Sequence, residues 1–193
     1  PAKAPVEEAS SQIEVSFKDR PVVSLTPSPD GHWLTLSIDK IKIDAATLDY
    51  ELLYDLPDGR TQGVPGSLTL VGQTKVEKKL LMGSESSGKF RYDEGVEQGD
   101  ITIRFRNDKG KLLIKFATKF HLQSGNKNLT SIDNNFAFNL DKKPSKAFFV
   151  TMETFGLPED LVSSITSGPY GIFTSDASLA PGSADGWQKA SGS

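Results

Sequence analysis

The stretch Gly83-Ser-Glu-Ser-Ser-Gly-Lys-Phe90 falls one residue short of a phosphate-binding loop. That loop, G-x-x-x-x-G-K-[ST], uses backbone amides to cradle phosphate, a lysine to meet its charge and a hydroxyl to hold magnesium. Gly83, Gly88 and Lys89 fit, but Phe90 stands where the hydroxyl is required. The motif must also open a helix whose N-terminal amides face the anion. The following FRYDEGVEQGD has no helical periodicity, so a loop joining two strands is the better reading and no nucleotide or other cofactor is expected.

Other chemistries are thinly provided. With no cysteine, the chain has no disulfide, thiolate metal ligand or cysteine nucleophile. Its two histidines, His32 and His121, are too few for a histidine-rich metal site and read as surface or strand-end residues. A G-x-S-x-G elbow is absent. Asp49 with Glu51, or Asp93 with Glu94, could pair as glycosidase carboxylates, although Asp49, Glu51 and Asp55 alternate along a strand and fit a solvent-facing side better. Asp133, Asn134, Asn135, Asp176 and Asp185 lie in loops that do not match a calcium-binding loop. Catalytic, cofactor-binding and metal-binding residues are therefore assigned to no position.

Two binding features remain. Trp33, Tyr50, Tyr54, Tyr170 and Trp187 are candidates for sugar stacking, and Trp187, in a Gly/Ser-rich context, is the one singled out. Arg104, Arg106, Lys111, Lys115 and Lys119 alternate with apolar residues and would form a basic stripe suited to an anionic polysaccharide or another envelope protein. The alternative is that Asp49, Glu51 and Asp55 occupy a neighbouring strand and neutralise that stripe. A net charge of -3 gives no general attraction to nucleic acid or anionic lipid, and no nucleic-acid partner is expected.

The elements that would carry these residues are strands. Leu34, Leu36 and Ile38 alternate with polar residues, as do Leu48, Tyr50, Leu52, Tyr54 and Leu56. ITIRFRNDKGKLLIKFATKFHL reads as a hairpin turning at Asn107 to Lys109, with Gly110 in a left-handed position. Its inward set is Ile101, Ile103, Phe105, Leu112, Ile114, Phe116, Phe120 and Leu122. The two Pro-Asp-Gly triplets, 29–31 and 57–59, mark turns. Further strands are expected in TKVEKKLLM, IDNNFAFNL and KAFFVTMET, and one short helical turn near 158–165. Many short strands with regular turns predict an all-β antiparallel sandwich.

The domain plan is a Pro/Ala/Ser-rich tether over 1–12, a sandwich over 13–162 and a Gly/Ser-rich extension over 163–193, partly docked through PYGIF. No run approaches the roughly 18 apolar residues that cross a bilayer as a helix. The start at Pro1 suggests a processed or trimmed chain, and the closing ASGS reads as linker.

Trp33 in an early strand, the YELLY strand and the later hairpin, together spanning about Asp30 to Gln123, resemble the immunoglobulin-like and fibronectin type III-like sandwich modules of secreted bacterial proteins. That resemblance implies a spacer or binding surface and transfers no site residue. The expectation is a non-catalytic, secreted or envelope-exposed module with an open choice of ligand. The alternatives are a carbohydrate-binding module, which requires an exposed aromatic row, and a glycan-active enzyme, which requires a cleft with two facing carboxylates.

Overall fold

A computed structural model describes residues 14–157, 168–176 and 178. Among the described residues the architecture is all-β, with thirteen strands and a 3-10 turn at Phe17–Asp19. In chain order the strands are β1 (Val22–Pro27), β2 (Trp33–Asp39), β3 (Thr47–Asp55), β4 (Thr61–Thr69), β5 (Val76–Leu81), β6 (Gly83–Ser86) and β7 (Lys89–Tyr92). They continue as β8 (Gln98–Arg106), β9 (Leu112–Ser124), β10 (Asn128–Thr130), β11 (Ala137–Asn139), β12 (Phe148–Glu153) and β13 (Tyr170–Thr174). The helical turn expected over 158–165 lies outside the described residues, as do the tether and Trp187.

A six-stranded sheet in the order β13-β12-β9-β8-β3-β4 faces a three-stranded sheet in the order β1-β2-β5, and every pairing is antiparallel. Strand alternation explains why they pack. Val23, Leu25, Leu34, Leu36 and Ile38 from the small sheet meet Leu48, Tyr50, Leu52, Tyr54, Ile101, Ile103 and Phe105 from the large one in one continuous core. The hairpin's inward set is buried as its spacing requires, except that Leu112, beside the irregularity at Phe105/Arg106, is only partly covered.

The sheets are tied at one corner. Val23 N–H donates to the Thr154 carbonyl at 3.0 Å and Val22 bridges Phe155, which is buried against Phe116 at 5.1 Å between ring centroids. Beyond β12, β13 pairs from Phe149↔Thr174 to Glu153↔Tyr170, so residues from the Gly/Ser-rich part of the chain supply an edge strand. The other edge, β4, carries Pro65 near its middle, where the missing N–H faces away from the sheet. Edge strand β5 carries the exposed Lys78 between buried Val76 and Leu80, an arrangement that discourages edge-to-edge pairing.

β6 and β7 form a hairpin of their own. Ser87 and Gly88 turn it with φ of 52° and 74°; positive φ at both central residues matches the right-handed twist of the strands. The near-match to a phosphate loop is thus a two-residue β-turn, with Lys89 and Phe90 in a strand and no helix to receive an anion.

Candidate binding cleft and aromatic wall

At one end of the sandwich the turn between β1 and β2, the connection from β7 to β8 and the far end of β9 enclose a cleft of about 320 Å³. The first of these segments is shaped by Ser28 and Asp30. The Ser28 hydroxyl donates to Asp30 Oδ1 at 2.5 Å, and the His32 and Trp33 amides donate to Asp30 Oδ1 and Ser28 Oγ. The Ser28 hydroxyl foremost, and then the His32 amide, hold the Asp30 carboxyl below the usual range. Gly31 sits at φ 74°, and a Cβ there would fall 2.6 Å from the Phe148 ring, so glycine lets that ring form the cleft floor.

The second segment is anchored from the core. Asp93 N–H donates to the Met82 carbonyl, and Asp93 Oδ2 accepts the hydroxyl of Tyr54 at 2.8 Å. Tyr54 is 1% exposed; burial, and next the Asp93 carboxylate, raise its phenol well above the ordinary value. The tyrosine ring therefore fills the core while its hydroxyl fixes the acidic connection Asp93-Glu94-Gly95-Val96-Glu97. Glu97 in turn accepts the Leu122 amide through its carbonyl at 2.7 Å, fastening the connection to β9.

β9 contributes His121 and Gln123. His121 Nδ1 donates to the Thr130 carbonyl at 2.7 Å, since a carbonyl only accepts. Gln123, 4% exposed, is saturated by Thr130 and Thr151 and serves as a support. Both histidines of the chain, 89 positions apart by subtraction of their numbers, thus line one cleft.

An aromatic wall continues from this cleft onto β7. The His32 and Tyr92 rings stack at 4.2 Å and 11°, Tyr92 and Phe90 lie parallel at 6.2 Å and 6°, and Trp33 meets Phe90 edge-on at 5.6 Å. Phe90 is 46% exposed and Tyr92 37%, and every residue of β7 faces solvent. Glu94 approaches His32 Nε2 at 3.8 Å. The combination sets a row of stacked, partly exposed rings beside carboxylate acceptors, with one face of Tyr92 covered by His32. Among the described residues no group of three or more His, Asp or Glu side chains is arranged to hold a metal ion.

The basic stripe lies elsewhere, on the outer face of the six-stranded sheet. Its cations are interleaved with the acids of β3 and β8: Arg106 Nε reaches Asp49 at 2.6 Å, Arg104 reaches Glu51 at 3.3 Å and Lys119 reaches Asp100 at 3.1 Å. Lys115 stands opposite Arg104 in register. Lys111 precedes β9, in the turn, where its amide donates to Asn107 Oδ1 at 2.9 Å. Of the aromatic candidates, Tyr50 and Tyr54 are in the core, Tyr170 stacks on Phe136 and donates to Asp133, and Trp33 is partly buried in the wall. Asp133 binds its own turn: it accepts from the Ser131 hydroxyl and from the Asn135 amide and side chain.

Phe90 and Tyr92 are the site residues that sequence reasoning passed over. Their signal is two aromatics at i and i+2, followed at once by Asp93-Glu94 and Glu97.

The chain matches no protein-family model, and no curated protein or solved structure matches it either.

Proposed function

We propose that the protein is a non-catalytic saccharide-binding β-sandwich module, related in architecture to immunoglobulin-like and fibronectin type III-like modules, that works outside the cell or in its envelope. The observation that carries this reading is the exposed Phe90–Tyr92–His32 wall running into a polar cleft. Aromatic faces pack on the C–H faces of pyranose rings, while carboxylates and amides accept sugar hydroxyls. The wall stands on a two-stranded hairpin that the core holds through Met82 and the Tyr54–Asp93 bond, so the rings are positioned before a ligand arrives. Asp93 is held by the Tyr54 hydroxyl, and Glu94 lies 3.8 Å from His32 Nε2 at the exposed side of the cleft. The extracellular or envelope setting rests on the Pro/Ala/Ser-rich composition of 1–12, which suits a tether. An anionic polysaccharide is the poorer fit, because the cleft is lined with carboxylates and the cations of the large sheet are interleaved with acids.

A glycan-array screen tests the reading. At least one neutral or amino oligosaccharide is expected to bind the intact protein, and Tyr92→Ala should weaken it by about tenfold, equivalent to roughly 1.4 kcal/mol, with an unchanged melting temperature. Binding that is indifferent to Tyr92→Ala would place the site elsewhere.

A further inference from the structure

We propose that His32 is a pH-sensitive pin for the aromatic wall: its imidazolium, formed as the pH falls, holds Tyr92 in place, and its neutral form slackens that hold. Three observations meet on this one residue. The imidazole lies parallel to the Tyr92 ring at 4.2 Å and 11°, its Nε2 is 3.8 Å from Glu94, and its backbone is fastened on both sides, the amide to Asp30 and the carbonyl to the Met82 amide. The pin therefore starts from a fixed turn and reaches across to β7. The β6–β7 hairpin on the receiving side is a two-stranded sheet of its own with every residue of β7 exposed, so its opening is a local event that a single contact can influence.

Histidine is the side chain that ordinarily changes charge between about pH 5 and 8. The groups facing His32 are ones that an imidazolium attracts. Asp30, on its own turn, feels the His32 charge; Glu94 stands on the connection from β7; and the Tyr92 face attracts a cation. Farther along the cleft are Asp93 and Glu97, with His121 on β9. Asp93 already accepts the Tyr54 hydroxyl and feels the charge of Arg60. Lys89 and Arg91 alternate onto the side of β7 away from Tyr92. A neutral imidazole keeps the ring overlap and loses the attraction to Glu94, Asp30 and the Tyr92 face. The contact is thus strongest in acid and weakens as the pH rises through the imidazole range. Stronger ligand binding in acid is a consequence that rests on the saccharide reading above; the pin itself does not.

The test compares the wild type with two variants. His32→Phe keeps a flat ring against Tyr92 but takes no proton, and Glu94→Gln keeps the imidazole and removes one carboxylate. Hydrogen exchange of the amides of 83–92, corrected for the intrinsic pH dependence of exchange, is measured at about pH 5 and about pH 8, the ends of the imidazole range. Wild-type protection is expected to be about threefold or more higher at the acid end, flat with pH in His32→Phe and less responsive in Glu94→Gln. His121 is present in all three proteins, so the difference reports His32. Affinity for an oligosaccharide selected on the glycan array should rise by a similar factor in the wild type and not in His32→Phe. Protection that ignores pH in the wild type, or changes alike in His32→Phe, overturns the pin and leaves the saccharide reading standing. If His32→Phe does not fold, a full wild-type pH response in Glu94→Gln overturns the pin in the same way. A pH-responsive hairpin with equal oligosaccharide affinity at both ends overturns the effect on binding, and one with no oligosaccharide bound at either end overturns the saccharide reading and leaves the pin.

Discussion

The outer face of β3, β8 and β9 and the cleft beside β7 are both rich in charge, yet they are built on opposite plans. On the sheet face, acids and cations alternate across neighbouring strands, as Asp49–Arg106, Glu51–Arg104 and Asp100–Lys119 show. In the cleft, carboxylates gather with histidines, amides and aromatic rings; the bonds they accept come from Ser28, Tyr54 and the His32 amide, and His32 Nε2 lies 3.8 Å from Glu94. The first plan solvates a sheet and sets its neighbours. The second places carboxylates, amides and rings at a concave surface, the kind of surface on which the proposed site depends.

The largest expected effect comes from removing the support common to both surfaces. Phe105, fully buried and edge-on to Phe116 at 6.2 Å, lies beneath the ladder on the same strand as Arg104 and Arg106. Phe105→Ala should cost about 3–5 kcal/mol, visible as a marked fall in melting temperature by calorimetry; an unchanged melting point would mean the core is assigned wrongly. Next in size is Tyr54→Phe, which deletes the hydroxyl donated to Asp93 while keeping the ring in the core. It should cost on the order of 1 kcal/mol and also weaken ligand binding, whereas a purely structural hydroxyl would affect stability alone.

The ladder should respond more weakly. A double-mutant cycle of Asp49→Ala with Arg106→Ala is expected to give a coupling of about 0.2–1 kcal/mol, because both side chains are about one-third exposed. Neither change should alter saccharide affinity. On a heparin column the wild type should pass through at low salt, with Arg104→Ala/Lys115→Ala behaving alike; firm retention lost in that variant would restore the stripe as an anion site.

The smallest effect is at Asp133. Burial pushes its carboxyl upward, but hydrogen bonds from Ser131, Tyr170 and Asn135 outweigh that and hold it at about 2, against an ordinary 3.8. A depressed carboxyl stabilises the fold above the unfolded value, and this contribution is lost as pH falls from about 3.8 towards 2. The group is exposed, so solvent screening keeps the loss modest. In Asp133→Asn the part of the acid-induced drop in melting temperature below pH 4 that Asp133 supplies should disappear; an identical acid profile in the variant would show that these bonds do not bear on stability.

How far the sequence speaks follows from burial. Where one face of a strand is covered, the period of two is imposed by the core, and Leu48, Tyr50, Leu52, Tyr54 and Leu56 are buried as their spacing demands. The turn at Asn107–Gly110 was equally readable, because Gly110 takes φ 75° and the Asn107 side chain accepts from the Lys109 and Lys111 amides. The β6–β7 hairpin buries little on either face, so nothing forces an apolar alternation onto its four-residue strands. Its Phe90 was legible as a departure from a phosphate loop, but not as part of an aromatic wall. His32 and His121 come together only through long-range pairing, and the diagonal from Arg104 to Glu51 depends on a register that local pattern does not specify.

The central claim is that the cleft and wall, and not the charge ladder, form the binding surface. Amide chemical-shift mapping of the labelled protein during titration with an oligosaccharide selected on the glycan array tests it most directly. The account predicts shifts clustered at 30–33, 89–97 and 121–124, the segments that meet at the cleft and wall. Shifts centred on Arg104, Arg106, Lys115 and Lys119, or a spectrum unmoved by the oligomer, would contradict it.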